Sequence, residues 1–163
     1  MDINVITYRN IEERDNKELA DLIRTVFREF KIDRPGTVYF DPTTDNLYEL
    51  FRIPGSVYWI AEEKGIMAGG CGIYPTPGLP EGCAELVKLY LLHQWRGKGI
   101  GRTLMEKCFE SARKMGYKQL YLESLPELEK AVSMYTKAGF RHIPQALGNS
   151  GHFGCNIWMV KDL

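Results

Sequence analysis

Seven consecutive residues, Arg96-Gly97-Lys98-Gly99-Ile100-Gly101-Arg102, combine three glycines with three cations where an apolar run gives way to a helical pattern. The first turn of a helix has backbone N–H groups with no partner inside the helix, and the helix dipole makes that end positive. Glycines put no Cβ between those groups and a ligand, so the stretch predicts an anion site, a phosphate or pyrophosphate by preference. A P-loop needs four residues between its glycines and then Gly-Lys-Ser/Thr, which this stretch lacks. The dinucleotide pattern G-x-G-x-x-G does not fit the G-x-G-x-G spacing, although Glu123 lies about where that motif's acidic residue would stand. A helix that follows a flexible turn and binds nothing is the plainer alternative, and spacing alone leaves it open.

Glu85 is the other residue that draws chemical attention. It interrupts an otherwise apolar run over 84–92, and an unpaired carboxylate is costly to bury. Such a residue is either functional or paired, here with a neighbour such as Lys88 or Arg141. The four cysteines, Cys71, Cys83, Cys108 and Cys155, form no C-x-x-C pair and read as reduced buried thiols rather than disulfides or a zinc site. His142 and His152 show no ligand spacing with cysteines or acids, so no metal is expected.

The elements that must position these residues follow from periodicity. The run 84–92 reads as a largely buried strand. From Ile100, apolar residues at three- and four-residue spacing (Ile100, Leu104, Met105, Cys108, Phe109, Ala112 and Met115) predict an amphipathic helix, with Gly116 as its left-handed stop. Upstream, a strand is expected over 3–8. A helix should open at Asp15 with Glu18 completing a capping box, and its stripe runs from Leu19 to Phe30. Thr37 to Phe40 is ambiguous, a short helix is expected over 45–51, and 57–62 and 66–74 form a hairpin around Lys64-Gly65. A Pro/Gly-rich loop leads into the central strand. Downstream come a strand over 119–123, a helix started by Ser124, Pro126 and Glu127 and closed by Gly139, a strand over 140–143, an open loop over 144–154 and a last strand over 155–160. One strand–helix–strand crossover among hairpin-like pairs indicates a mixed α/β sheet with helices on both faces.

Composition bounds the rest. At 163 residues and 44% hydrophobic, the chain is long and apolar enough for one domain with a sizeable core, and wrong for disorder. Lysine plus arginine equals aspartate plus glutamate at 21 each, so no overall field draws it to nucleic acid or a membrane. The N-terminus has neither a basic region nor an apolar core of a signal peptide, and no apolar run reaches transmembrane length.

With these residues in place, the chain resembles the GNAT (Gcn5-related) N-acetyltransferases. Arg96 to Gly101 fits that family's Arg/Gln-x-x-Gly-x-Gly/Ala signature after a strand, and Ala131, Tyr135, Lys137, Gly139 and Phe140 fit its A-x-x-x-Y-x-K-x-G-F segment. The resemblance spans residues 3–161 and is weak before Tyr58. It implies one GNAT domain over 1–163: a mostly antiparallel α/β (α+β mixed) sheet whose two central parallel strands splay apart. It implies acetyl-CoA as acetyl donor, held by Arg96, Gly97, Lys98, Gly99, Ile100, Gly101, Arg102 and Lys137, with the pantetheine arm along Leu89, Leu91 and Leu92.

The resemblance further implies direct attack by a primary amine, on a small molecule or a protein, without a covalent enzyme intermediate. A backbone N–H near Leu91 would meet the oxyanion. Tyr135 corresponds to the family's general acid, or else it is core on the apolar face of its helix. Glu85 is the candidate base and Glu123 the next. Helices near 45–51 cover the substrate end in this family. Tyr39, Phe40, Tyr48 and Phe51, with Asp33, Asp41 and Asp45, therefore either line an amine pocket or serve as core, caps and turns, and His152 is a further candidate there. Leu128 stands where many relatives carry asparagine, which leaves one usual contact to the pantetheine or sulfur open, and His93 stands where proline is common. A non-catalytic acyl-CoA-binding module that senses the cofactor is the competing class. A homodimer and a cytoplasmic location complete the expectation.

Overall fold

The turn at Lys64-Gly65, with φ of 50° and 79°, folds two apolar runs into the hairpin β2 (Val57–Glu63) and β3 (Ile66–Tyr74). A computed structural model describes residues 5–163, and among them these strands belong to one sheet with β1 (Thr7–Asn10), β4 (Cys83–Leu91), β5 (Gln119–Ser124), β6 (Arg141–Ile143) and β7 (Ile157–Asp162). The order across the sheet is β1-β2-β3-β4-β5-β7-β6. Every pair is antiparallel except β4 and β5, the two strands joined through α3 (Ile100–Lys114).

Both faces are covered. On one, α3 buries Leu104, Met105, Cys108 and Ala112 against Ala68, Cys71 and Leu86, and Tyr135 of α4 (Glu129–Lys137) joins that core. On the other, α1 (Asn16–Glu29) and the single turn α2 (Leu47–Leu50) bury Leu19, Ile23, Phe27 and Leu47 against Tyr58, Ile60 and Met67. Truncating one such fully buried leucine to alanine removes about 2–5 kcal/mol. Among the described residues no helix is long and apolar enough to cross a membrane, and the four cysteines are free.

Local expectations fail in three places. The first strand is β1, displaced towards the C-terminus, and residues 3 and 4 of the expected span lie outside the described residues. Asp15 does not cap α1. Its carboxylate takes both arms of Arg9, at 2.8 Å each, and the Glu12 N–H at 2.7 Å, while Arg9 also reaches Glu62 on β2. A charged fork holds a carboxylate more strongly than a helix N–H does, so the acid ties β1, α1 and β2 together instead. The last helix starts at Glu129, not near Pro126, because Leu125 is buried in the α1-side core and Pro126 falls in the turn that follows it.

Two features of the sheet shape its centre. Gly70 pairs with Tyr90 and Gly72 with Val87, so two steps on β3 oppose three on β4 and one residue bulges. That residue is Lys88, at φ 55°. The parallel pair β4/β5 has only three rungs, Cys83↔Gln119, Ala84↔Leu120 and Glu85↔Tyr121. Beyond them β5 stays paired with β7 as far as Ser124↔Ile157, whereas β4 follows β3 with the added twist of its bulge. The strands therefore part, and a gap opens at the carboxyl end of β4.

Candidate active site

The glycine turn borders this gap. Gly97 and Gly99 take φ of 75° and 80°, which side chains rarely adopt, and a Cβ added at either would meet nothing within 4 Å. They give the turn its left-handed shape and leave its outer face open. The first intrahelical backbone bond of α3 runs from Thr103 N–H to Gly99 C=O at 3.1 Å, so the N–H groups of Ile100, Gly101 and Arg102 have no partner within the helix. Gly101 serves a different end, since a Cβ there would come within 3.2 Å of Met134 and 3.4 Å of Leu91. It lets α3 sit close against α4 and β4.

The three cations around the turn have separate fates. Lys98 lies over the Trp95 ring at 5.1 Å, and exposed Arg102 pairs with Glu106 at 3.1 Å. Arg102 also lines a groove between α3 and α4 with Glu106, Arg113, Lys137 and Lys161, so residues up to 59 positions apart in the chain share one mainly basic surface. Arg96 is a strut. Its guanidinium donates to Leu91 C=O at 3.1 and 2.9 Å and to Glu29, and it stacks on Phe30. Leu92 N–H donates back to Ala68 C=O on β3, so by strand alternation the polar groups of Leu91 face the gap. With its C=O taken by Arg96, Leu91 turns its N–H to the gap.

Inside the gap, Glu85 and Tyr135 line one pocket, together with Leu89, Lys88, Glu123 and His152. Glu85 is only 4% exposed, and Thr76 donates to it at 2.6 Å. Burial pushes its carboxyl up to about 7, against the Thr76 hydrogen bond, and the negative charge of Glu123 adds to the rise. Neither expected ion-pair partner holds it: Arg141 pairs with Asp162 at 3.4 Å, and Lys88 makes no ion pair among the described residues. Burial keeps the Tyr135 hydroxyl strongly protonated. Glu123 accepts from Tyr121 at 2.6 Å and from Ser150.

The loop over 144–154 closes one side. It is pinned where Gly154 N–H donates to Gly36 C=O and Asn149 N–H to Pro77 C=O, both at 2.8 Å. This brings His152 to the pocket and within 2.9 Å of Asp41, whose carboxyl is held well below the usual range by that bond and by two from Thr43. Of the other residues expected near an amine, Asp45 is paired with Arg24, Asp33 is exposed and Phe51 is core. Tyr39 packs near Phe27, and Phe40 is 57% exposed.

Sequence reasoning missed Lys88 as a pocket residue, and it missed what holds Lys88 there. Tyr58 lies across β3 and donates from its hydroxyl to the Lys88 C=O at 2.8 Å. The crossing needs Gly70 and Gly72, where a Cβ would fall 2.4 and 2.6 Å from the Tyr58 ring. The run Gly69-Gly70-Cys71-Gly72 was the available signal, because glycines inside an apolar strand mark a bulge or a close approach.

Comparison with known proteins agrees with this architecture. The model of the acetyltransferase (GNAT) family matches residues 18–140. The uncharacterized N-acetyltransferase YjgM of Escherichia coli is 38% identical over 156 residues, covering 95% of this chain and 93% of its own. Among solved structures, a GNAT-family acetyltransferase of Staphylococcus aureus superposes with a TM-score of 0.86 at 21% identity, over 98% of this chain and 99% of that one. The PaiA N-acetyltransferase of Thermoplasma acidophilum, solved with coenzyme A, superposes at 0.76 with 20% identity, over 98% of this chain and 99% of that one.

Proposed function

This chain belongs to the GNAT acetyltransferase family, and on that premise we propose that it carries the acetyl group of acetyl-CoA to a primary amine by direct attack. The observation that carries the reading is the three-rung β4/β5 pair: past Glu85 the strands part, and one pocket then contains a buried carboxyl and a tyrosine. The gap lies beside a helix whose first N–H groups have no partner within the helix, as a ligand with a pyrophosphate in its middle requires. The solved YncA acetyltransferase of Salmonella typhimurium, of the same fold, was crystallised with acetyl-CoA, which supports the choice of donor.

Acetyl-CoA, when bound, supplies an activated thioester carbonyl. The N–H groups at the start of α3 hold its pyrophosphate, and the basic groove of Arg102 and Lys137 takes further phosphate charge. Arg96 fixes the turn to the end of β4, and the freed edge of β4 at Leu89 to Leu92 accepts the pantetheine amides as an added strand. The Leu91 N–H meets the carbonyl oxygen as negative charge grows on it.

Glu85 takes the proton from the acceptor ammonium, directly or through a water. A carboxyl near 7 is about half deprotonated at neutral pH, which suits a general base. As the C–N bond forms and the C–S bond breaks, the thiolate takes the Tyr135 proton. That hydroxyl is then restored by the proton lost from nitrogen.

Thermal-shift titrations with acetyl-CoA, CoA, ATP and NAD test the donor, since a ligand that binds only the folded state raises its melting temperature. The reading expects a rise with the two CoA compounds alone. A rise with ATP or NAD and none with CoA would overturn it. Thiol release on adding amines then separates an enzyme from a binding module.

A further inference from the structure

Lys88 is a charged pocket group that the reaction outlined above does not use. Leu86, Leu89 and Leu91 pack into the α3-side core, while Val87 and Tyr90 pack into the α1-side core. Between Leu86 and Leu89 two residues therefore share the α1 face, and the bulge turns Lys88 towards the pocket that Glu85 also lines. A bulged lysine at φ 55° is an unusual expense of backbone energy, and Tyr58 and the two glycines hold it there.

The charges around it are not balanced in kind. Asp41 has His152 and Thr43, Glu123 has Tyr121 and Ser150, and Glu85 has Thr76. Lys88 is 8% exposed, and its ammonium has no ion-pair partner among the described residues. A buried cation without a partner is unfavourable, and a pocket that keeps one is ready for an anion. Burial lowers the pKa of the Lys88 ammonium, and the nearby charges of Asp41 and Glu85 oppose that fall.

Building on the acetyltransferase reading above, we propose that the acceptor bears a carboxylate close to its amine, and that Lys88 binds that carboxylate while Glu85 faces the amine. The acceptor class is thus the amino acid or a compound shaped like one, rather than a simple amine or a polyamine. Lys88 selects the acceptor and takes no proton in the transfer.

The test sets each L-amino acid beside its carboxamide and its decarboxylated amine, with acetyl-CoA and thiol release as the readout. The best amino acid should exceed its own carboxamide by about tenfold or more in kcat/KM, the size of one charge-assisted hydrogen bond. In Lys88→Met that ratio should fall towards one. The melting temperature of the variant should hold or rise, because a buried unpaired charge has been removed. A carboxamide or amine acetylated as well as the acid, or a ratio that survives Lys88→Met, overturns the proposal and leaves the acetyltransferase reading standing. If no acceptor turns over, N-acetylated amino acids are titrated in thermal shift. A rise in wild type that Lys88→Met lacks supports the proposal, and no rise overturns it. A protein that fails to bind acetyl-CoA fails the earlier reading itself.

Discussion

Two clusters in this molecule each set a buried carboxylate near a basic side chain, and the fold treats them in opposite ways. At the β1 side of the sheet, Asp15 sits in the fork of Arg9, and Arg9 also reaches Glu62. In the gap between β4 and β5, Glu85 has one hydroxyl and Lys88 has no ion-pair partner among the described residues. Burial works against both acids. For Asp15 the Arg9 bonds and the Glu12 N–H outweigh it, and the carboxyl falls below its usual value. For Glu85 burial wins, and the carboxyl rises to about 7. The first cluster ties three elements together, and the second keeps its charges available to a ligand.

The largest expected effect belongs to the gap. Tyr135→Phe removes one proton and keeps the packing, so turnover should fall by about 10²–10⁴ with an unchanged melting temperature. Unchanged turnover would make Tyr135 core only, and the gap would lose its acid.

The reverse pattern is expected of Asp15→Asn. Breaking a buried pair should cost about 3 kcal/mol of stability in denaturant melts, with activity per folded molecule intact. A loss of activity at full stability would blur the distinction between the two regions.

The pH should move the clusters in opposite directions. Asp15, lowered on folding, contributes stability that is present above the ordinary aspartate range and is lost as pH falls through its folded value. Glu85, raised on folding, contributes stability that is full below the ordinary glutamate value and is lost as pH rises through about 7. Wild type should therefore lose roughly 3 kcal/mol between pH 4 and 8 that Glu85→Gln does not lose. Parallel curves for the two proteins would contradict the Glu85 environment described here.

Smaller effects sharpen the same contrast. Gly70→Ala drives a Cβ against the Tyr58 ring and should cost about 1–3 kcal/mol while weakening activity through the bulge. Tyr58→Phe leaves the Lys88 C=O without its donor and should cost about 1 kcal/mol. Urea melts and kcat/KM read both variants.

What the sequence made legible were the features that single stretches encode. The glycine turn, α3, the Lys64-Gly65 hairpin and the β4 strand follow from local spacing, and each stands about where periodicity puts it. The pocket was less legible because its geometry is non-local. His152 meets Asp41 across 111 positions, and the bulge at Lys88 depends on glycines in the neighbouring strand and on a tyrosine in the one beyond. The capping box expected at Asp15 failed for a different reason: Arg9 on β1, six positions away, is a stronger partner than a helix N–H. The splay of β4 from β5 has no periodic signature, because it records which neighbour each strand follows.

The pH dependence of kcat/KM, compared between wild type and Glu85→Gln, tests most directly whether the unpaired charge in the gap does chemistry. The account predicts a wild-type acid limb with its midpoint near 7, and a variant that is slow and lacks that limb. A limb that persists unshifted in Glu85→Gln would contradict it, and would leave the Glu85 carboxyl a buried structural group.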